Sequence, residues 1–312
     1  MKEVVIIDGI RTAVGRRKGK LTYMRPDELA ATVLEKLIDR VGIEKGDVED
    51  IILGCVSQVG EQGGNIARTA ALIAGFPTKV PGTTIDRQCG SSQQAVHFAA
   101  QAIACGDMDI VIAGGVESMT RVPMMSNMGD AKPSKKLLEQ YEIINQGLSA
   151  ERIAEQWDLS REALDTFSVQ SHERAFQAIA EGRFEKEIVP IEVTKEDGTT
   201  ELFSVDEGPR VGTTLETLGG LKTVFDANGR ITAGNASQMS DGASAVLLMS
   251  REKAQELGLT ARARIHTRVV VGSDPTLMLT GPIAATQKVL KKAQLTIEDM
   301  DVYEVNEAFA PV

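Results

Sequence analysis

The stretch Ile85-Asp86-Arg87-Gln88-Cys89-Gly90-Ser91-Ser92-Gln93-Gln94-Ala95 reads as a short β-strand that ends at a cysteine and passes into an alanine-rich helix. Glycine and serine fill the first turn of that helix. A thiol at position 89 therefore faces unpaired backbone N–H groups and the positive end of the helix dipole. Both favour thiolate over thiol, the state a nucleophilic cysteine requires. Outward from this point the strand-then-helix rhythm repeats. Val4–Ile7 is a buried-strand run, and Pro26 opens a helix with apolar residues at Leu29, Ala30, Val33, Leu34, Leu37, Ile38 and Val41, closed by Gly42. Ile51–Leu53 is the next strand. The loop Gly60-Glu61-Gln62-Gly63-Gly64-Asn65 leads to a helix over Ile66–Ala74, Thr83–Ile85 leads to Cys89, and Asp109–Ala113 is a strand ending in Gly114-Gly115. Strands alternating with helices predict an α/β fold on a mostly parallel sheet with helices on its faces.

From Met119 to Arg230 the rhythm breaks into charged amphipathic helices (Ala150–Trp157, Arg161–Glu181) and short strands around Ile188–Val193, the pattern of an inserted α+β subdomain. Ala245–Met249 returns to the core pattern, followed by a helix over Arg251–Leu257. Then comes an internal echo. Ala30-Ala31-Thr32-Val33-Leu34-Glu35-Lys36-Leu37 resembles Ala284-Ala285-Thr286-Gln287-Lys288-Val289-Leu290-Lys291, and each copy continues through an acidic turn, Glu44–Asp50 and Glu298–Asp301, into a strand, Ile51–Leu53 and Val302–Val305. The echo predicts a duplicated α/β unit whose second copy is unfinished, with roughly 60–80 further residues expected by symmetry. The expected organisation is an N-terminal half over 1–118 completed by 240–261, an inserted subdomain over 119–239, and the start of a second half over 262–312.

Composition narrows the class. The chain has 312 residues, 42% hydrophobic and 25% charged, with a net charge of −10. That length allows two domains and a sizeable core, and the acidic balance argues against a nucleic-acid binder. The three cysteines, Cys55, Cys89 and Cys105, form no C-x-x-C pair. The pattern suits neither a zinc site nor a disulfide framework, and it points to a reducing compartment, the cytoplasm. The first residues run straight into a strand, leaving no room for a signal peptide, and no apolar run has membrane-spanning length.

Five stretches together resemble the thiolases, the acyl-CoA C-acyltransferase family: Asp86-Arg87-Gln88-Cys89-Gly90-Ser91-Ser92, Ala113-Gly114-Gly115-Val116-Glu117-Ser118-Met119, Thr232-Ala233-Gly234-Asn235-Ala236-Ser237, Asp241-Gly242-Ala243 and Asn306-Glu307-Ala308-Phe309. The resemblance covers the whole chain, and the five occur in the family's order and spacing. It implies a thiolase fold of two βαβαβαββ halves with a loop subdomain between them. It also implies a two-step acyl transfer in which Cys89 holds the acyl group covalently. The acyl group then passes to CoA in thiolysis, or to the enolate of a second acetyl-CoA in condensation. By the same resemblance Asn306 holds an oxyanion-hole water. Ser237 contacts the pantetheine amide, Phe225, Ala233, Met278, Ala308 and Phe309 line the pantetheine and acyl tunnel, and Arg210 lies near the nucleotide end. CoA enters as substrate or product, with no further cofactor and no metal, and a homodimer or homotetramer is implied.

The family also uses a histidine in Gly-His-Pro-x-Gly and a second cysteine in Cys-x-Gly-Gly-Gly. Neither motif occurs in these 312 residues: none of His97, His172 and His266 is followed by proline, and Cys55 and Cys105 lack the glycine run. The chain alone is therefore expected to be inactive. Where short-chain members carry His-Met-Gly, this chain has Asn145-Gln146-Gly147, as degradative members often do, which favours thiolysis of 3-ketoacyl-CoA in fatty-acid or related degradation. The alternatives are a biosynthetic acetoacetyl-CoA thiolase and a non-catalytic acyl-CoA-binding or assembly subunit.

Plainer readings stand beside these. A cysteine at a strand–helix junction can be core packing, and Cys55 and Cys105 are read as buried structural residues. His97, two turns along the Cys89 helix, reads as a satisfied structural histidine. Asn306 can simply tie down a loop, and Gly114 and Gly115 can serve close backbone packing. Glu61–Asn65 can be a surface loop. Arg16-Arg17-Lys18-Gly19-Lys20 lacks P-loop spacing and reads as a solvated loop, and Met124, Met125 and Met128 serve either an acyl pocket or loop packing.

Overall fold

The computed structural model describes all 312 residues, Met1–Val312. In chain order the elements are β1 (Val4–Arg11), β2 (Gly15–Arg16), α1 (Pro26–Val41), β3 (Asp50–Gly54), α2 (Ile66–Ile73), β4 (Gly82–Ile85), α3 (Ser91–Cys105), β5 (Ile110–Ser118), α4 (Lys135–Leu138), α5 (Gln146–Gln156), α6 (Arg161–Ala180), β6 (Ile191–Thr194), β7 (Thr200–Phe203), α7 (Leu215–Gly219), β8 (Ser240–Ser250), α8 (Arg251–Glu256), β9 (Ala263–Arg264) and α9 (Gly281–Ala293). They form two compact units. One comprises Met1–Gly129, Gly182–Gly208 and Met239–Ile265, the other Asp130–Glu181, Pro209–Gln238 and His266–Val312. No helix is long and apolar enough to cross a membrane.

The first unit is built on one sheet of order β4-β3-β5-β8-β1-β9, with β2 also paired to β8. Helix α1 forms where its signals place it. Pro26 stands in the first turn beside Asp27 and Glu28, and Gly42 ends the helix at φ +78° with its N–H on Ile38 O. Its apolar stripe joins α2 against one face of the sheet, with Val5, Ile7, Ile51, Leu53, Ile110, Ile112, Ala245 and Leu247. The opposite face carries α3, whose Ala95, Ala99, Ala100 and Ile103 pack on Val4, Ile52, Val111, Ala113 and Leu248. Successive strand residues thus bury on alternate faces, which is why these strands read as unbroken apolar runs.

The sheet is mixed rather than mostly parallel. β3 pairs in parallel with β4 and β5, but β8 runs antiparallel to both β5 and β1, and β9 antiparallel to β1. β8 follows a long excursion instead of a helical crossover, so nothing forces it to enter from the same end as its neighbours. β5 does not stop at Gly114 either: it continues to Ser118 because β8 keeps pairing with it as far as Asp241.

The segment Gly182–Gly208 belongs to this unit, whereas the expected boundaries put it in the insertion. Ile188, Ile191, Val193 and Phe203 bury in the core that α1 covers. Arg11 pairs with Glu187 at 2.8 Å and with Asp206 at 2.7 Å, and stands 5.3 Å from the centroid of the Phe184 ring. A strand end, an ion-pair cluster and a cation–π contact thereby hold the β6–β7 hairpin.

The second unit is helical and loop-rich. Its core gathers Ala150, Ala154, Leu164, Ile231, Ala308 and Phe309. The sequence echo is visible here as structure. α9 repeats the early proline of α1 and ends, like α1, on a left-handed residue, Gln294 at φ +56°. The 3-10 turn Ile297–Asp299 repeats Lys45–Asp47. Val302–Val305, however, is not a strand. These residues pair with no neighbour, and Val302 and Val305 are 86% and 54% exposed; an apolar run becomes a strand only beside a ladder partner.

Gly54 and Gly115 sit opposite each other in the β3–β5 register. A Cβ at Gly54 would stand 2.7 Å from Ser91 Cβ, and one at Gly115 2.8 Å from Gly54 O and 3.1 Å from Ser92 Cβ. The N-terminal turn of α3 therefore rests on a bare glycine pair. Gly115→Ala is expected to lower stability by about 1–3 kcal/mol through overpacking, read as a lower urea midpoint. An unchanged midpoint would show that this helix end is not seated on the strands.

Candidate active site

Strand β4 ends at Ile85, four residues before Cys89, so the cysteine sits in a loop rather than at a strand end. The loop is built from its own side chains. Asp86 Oδ1 accepts the Gln88 N–H at 2.7 Å, and Gln88 takes the left-handed conformation at φ +50°. Ser91 Oγ accepts the Arg87 N–H at 2.8 Å and donates to Gln88 O at 2.6 Å. Gly90 N–H and Ser91 N–H go to Arg87 O and Gln88 O at 3.1 and 3.0 Å. These bonds turn the chain so that Cys89 is exposed, immediately before the Gly90 cap of α3. His97, further along α3, is half-buried and engaged with a partner.

The other cysteines divide. Cys55 is buried as expected, and its thiol is pushed up to about 12, first by burial and then by the carboxylates of Glu117 and Asp86. Cys105 is exposed, contrary to the expectation of a buried residue. It is the last residue of α3, two residues past the buried Ile103, and the helix ends at the left-handed Gly106. Beside Cys55 lies a carboxylate hub that the sequence reading missed. Glu117 accepts from Val56 N at 2.8 Å, Ser57 N at 3.3 Å and Gln62 Nε2 at 2.7 Å, while Gln62 Oε1 accepts from Ser118 N at 2.7 Å. The hub fixes the loop after β3 to the end of β5.

The remaining candidates lie in the second unit. Ala308 and Phe309 are buried, and the Phe225 ring stands edge-on to Phe309 with centroids 6.1 Å apart and planes at 71°. Gly147, in Asn145-Gln146-Gly147, lies flat against the Phe225 ring, and its N–H donates to Asn145 Oδ1 at 2.8 Å. Ser237 and Ala233 are exposed. Ser237 N–H donates to Ala308 O at 3.0 Å, Ala310 N–H to Asn235 O at 2.9 Å, and Ala236 bridges to Phe309. Met278 is half-buried at φ +30°; its N–H donates to Asp274 O at 2.8 Å and its carbonyl accepts from Ser273 Oγ at 3.1 Å. The structure thus brings Phe225, Ser237, Ala308 and Phe309 together, with Met278 in a separate turn next to Leu279, which packs on the same core.

Asn306 is exposed in a segment with no helix or strand. Its neighbour Glu307 accepts from Ser171 Oγ at 2.7 Å. Arg210 is exposed, and its backbone N–H donates to His172 Nδ1 at 3.2 Å. Burial holds His172 below the ordinary histidine range, the Arg210 charge adds to this, and Glu307 opposes it. Neither Glu307 nor His172 was singled out as a partner in the sequence, because Arg210 and His172 stand 38 residues apart.

An exposed cysteine at the head of a helix that packs on an α/β sheet stands in a position suited to a nucleophilic thiol. The chain matches the thiolase N-terminal domain over residues 4–252 and the thiolase C-terminal domain over residues 259–312. It is 49% identical to the steroid 3-ketoacyl-CoA thiolase of Mycobacterium tuberculosis, over 100% of this chain and 78% of that protein. It is 46% identical to the 3-ketoacyl-CoA thiolase of Aliivibrio fischeri, over 99% of this chain and 81% of that protein. The crystal structure of the Bacillus anthracis acetyl-CoA acetyltransferase superposes with a TM-score of 0.91 at 41% identity, covering 100% of this chain and 81% of that one. The chain belongs to the thiolase family of acyltransferases and has its fold. The matches give no support to the expectations of an unfinished second half or of an inactive chain.

Two outcomes follow from this geometry. Alkylation of the folded protein near neutral pH should modify Cys89 and Cys105 and spare Cys55, whose raised pKa leaves almost no thiolate; peptide mass mapping reads this, and labelled Cys55 would contradict it. In an NMR titration His172 should show a midpoint below that of a free histidine, and Arg210→Ala should raise that midpoint by removing a nearby positive charge. Because the folded state resists protonating His172, its contribution to stability is complete above the unfolded pKa and is lost as pH falls below it.

Proposed function

We propose that the chain acts on 3-ketoacyl-CoA by thiolysis, releasing acetyl-CoA and a shortened acyl-CoA in fatty-acid or related degradation. The observation that carries this reading is Cys89, exposed on a hydrogen-bonded loop at the head of α3. The Cys89 thiolate attacks the C3 carbonyl, the C2–C3 bond breaks, and the electron pair leaves as the acetyl-CoA enolate, which takes a proton at C2. The thiol of a second CoA then attacks the acyl-cysteine, takes the acyl group and frees Cys89. Support for 3-ketoacyl substrates comes from the names of relatives 46–49% identical to the chain, and from Asn145-Gln146-Gly147 in place of His-Met-Gly.

The other roles belong to the same proposal. Asn306 orients an oxyanion-hole water, Ser237 meets the pantetheine amide, Phe225, Ala233, Met278, Ala308 and Phe309 line the pantetheine and acyl path, and Arg210 meets the nucleotide end. CoA is substrate and product, with no further cofactor. The working form is a homodimer or homotetramer in the cytoplasm. The proton transfers at the nucleophile and at C2 are assigned to no residue of this chain. A second reading, condensation of two acetyl-CoA molecules, uses the same cysteine in reverse and is favoured by the structural likeness to an acetyl-CoA acetyltransferase.

Intact-mass spectrometry after incubation with acetyl-CoA or a longer acyl-CoA should show one acyl adduct, absent in Cys89→Ala. CoA-dependent loss of 3-ketoacyl-CoA should fall by about 10³-fold or more in the same variant, as when a nucleophile is removed. A protein that forms no adduct with any acyl-CoA would sink the reading, and an adduct on another residue would move the nucleophile away from Cys89.

A further inference from the structure

Residues 233–237 and 308–310 lie against each other through backbone contacts, and the side chain that ties the first of these segments to helix α6 is Asn235. It is 3% exposed. Its Nδ2 donates to Asp165 Oδ1 at 3.0 Å and to Arg230 O at 3.0 Å, and its Oδ1 accepts the Thr232 N–H at 2.8 Å. Its own carbonyl accepts the Ala310 N–H at 2.9 Å. One residue thus closes the Thr232–Asn235 turn, reaches α6 and carries the segment that follows Phe309.

Asp165 is equally buried and is itself held. Arg161 Nε donates to Asp165 Oδ2 at 2.7 Å, and the same guanidinium donates to Leu218 O at 2.6 Å and Leu221 O at 3.2 Å. Those leucines press on the same turn: a Cβ at Gly234 would lie 2.6 Å from Leu218 Cδ2 and 2.8 Å from Leu221 Cδ1. The chain of contacts runs from Arg161 through Asp165 to Asn235. Ala233 and Ser237, two residues to either side of Asn235, are exposed, while Asn235 faces inward.

We infer that Asn235 is a positioning residue for the pantetheine arm of the CoA substrate: together with Asp165 it sets where Ser237 and Phe309 stand without touching CoA itself. The inference rests on the proposed role of Ser237 and Phe309 as CoA contacts. The side-chain chemistry accounts for asparagine. The position needs two donors and one acceptor in a single planar group. Aspartate has the same shape but no donor at neutral pH, and it would put a second carboxylate against Asp165.

The test is CoA affinity by titration calorimetry on the whole chain, for the wild type, Asn235→Asp, Ser237→Ala and the double variant, with thermal melts and the Cys89 alkylation rate measured on each. Asn235→Asp is expected to weaken CoA binding by about tenfold, the scale of a lost buried hydrogen bond, and to leave Cys89 alkylation unchanged. Adding Ser237→Ala should weaken it little further, because both changes act through one contact. Wild-type affinity in Asn235→Asp, or fully additive effects, would overturn the inference. If Asn235→Asp melts before binding can be read, Asp165→Asn takes its place. It keeps an acceptor for Asn235 but loses the Arg161 ion pair, so a smaller, non-additive weakening is expected and unchanged affinity overturns the inference. A wild-type chain that binds no CoA removes the proposed CoA site, and the inference with it; a wild type that binds CoA while these variants bind equally well removes the inference alone.

Discussion

The seat of α3 on the sheet is the contact on which the rest of the first unit depends. Gly54 and Gly115 face each other across β3 and β5 and leave the space that Ser91 and Ser92 occupy. Alanines at 95, 99 and 100 bury the rest of the helix on the same sheet face. With the helix end pinned, the chain between Ile85 and Ser91 has little length to spare. Asp86 and Ser91 accept the N–H groups of Gln88 and Arg87 within the loop. Asp86, Arg87, Gln88 and Cys89 all lie on the outside, so the exposure of Cys89 goes with a loop that stands clear of the packed helix end.

Where sheet pairing ends, carboxylates take over as acceptors. Glu117 serves Val56, Ser57 and Gln62, Glu151 accepts the N–H groups of Arg230 and Ile231, and Asp206 accepts the Val14 N–H together with the Arg11 guanidinium. Each satisfies partly buried backbone donors that no strand reaches, and an unpaired buried donor costs about 1–3 kcal/mol. A carboxylate suits this task because it accepts several bonds at once. Part of the acidic excess of the sequence is therefore structural, spent inside loops rather than spread over the surface.

This division explains what could be read from the sequence. Helix α1 was legible to the residue because Pro26 and Gly42 act locally, and the apolar strand runs were legible because both sheet faces are covered. The direction of β8 was not, since a strand buried on both faces carries no mark of its orientation. Val302–Val305 looked like Ile51–Leu53, but strand formation depends on a partner that composition does not encode. Cys105 failed for a geometric reason: the buried stripe of α3 ends before the helix does. At the candidate site, residues on a contiguous motif could be named, Glu117 and Glu307 among them, but the partners of Glu117, His172, Asp165 and Glu307 lie tens of residues away and left no spacing signal.

The two units hold their candidate residues by different means, and the difference suits the proposed chemistry. Cys89 is referenced to a sheet through a helix end and a closed set of short hydrogen bonds, as a nucleophile that must meet one carbonyl carbon at bonding distance requires. Ser237, Phe225 and Arg210 are placed by turns, by single side-chain anchors such as Asn235 and His172, and by the bare backbone of Gly147 against the Phe225 ring. Turns change length and shape at less energetic cost than strands. A covalent acyl transfer needs a fixed nucleophile, whereas contacts held by turns can change without disturbing it. The hydrogen bonds of this chain are distributed in that way.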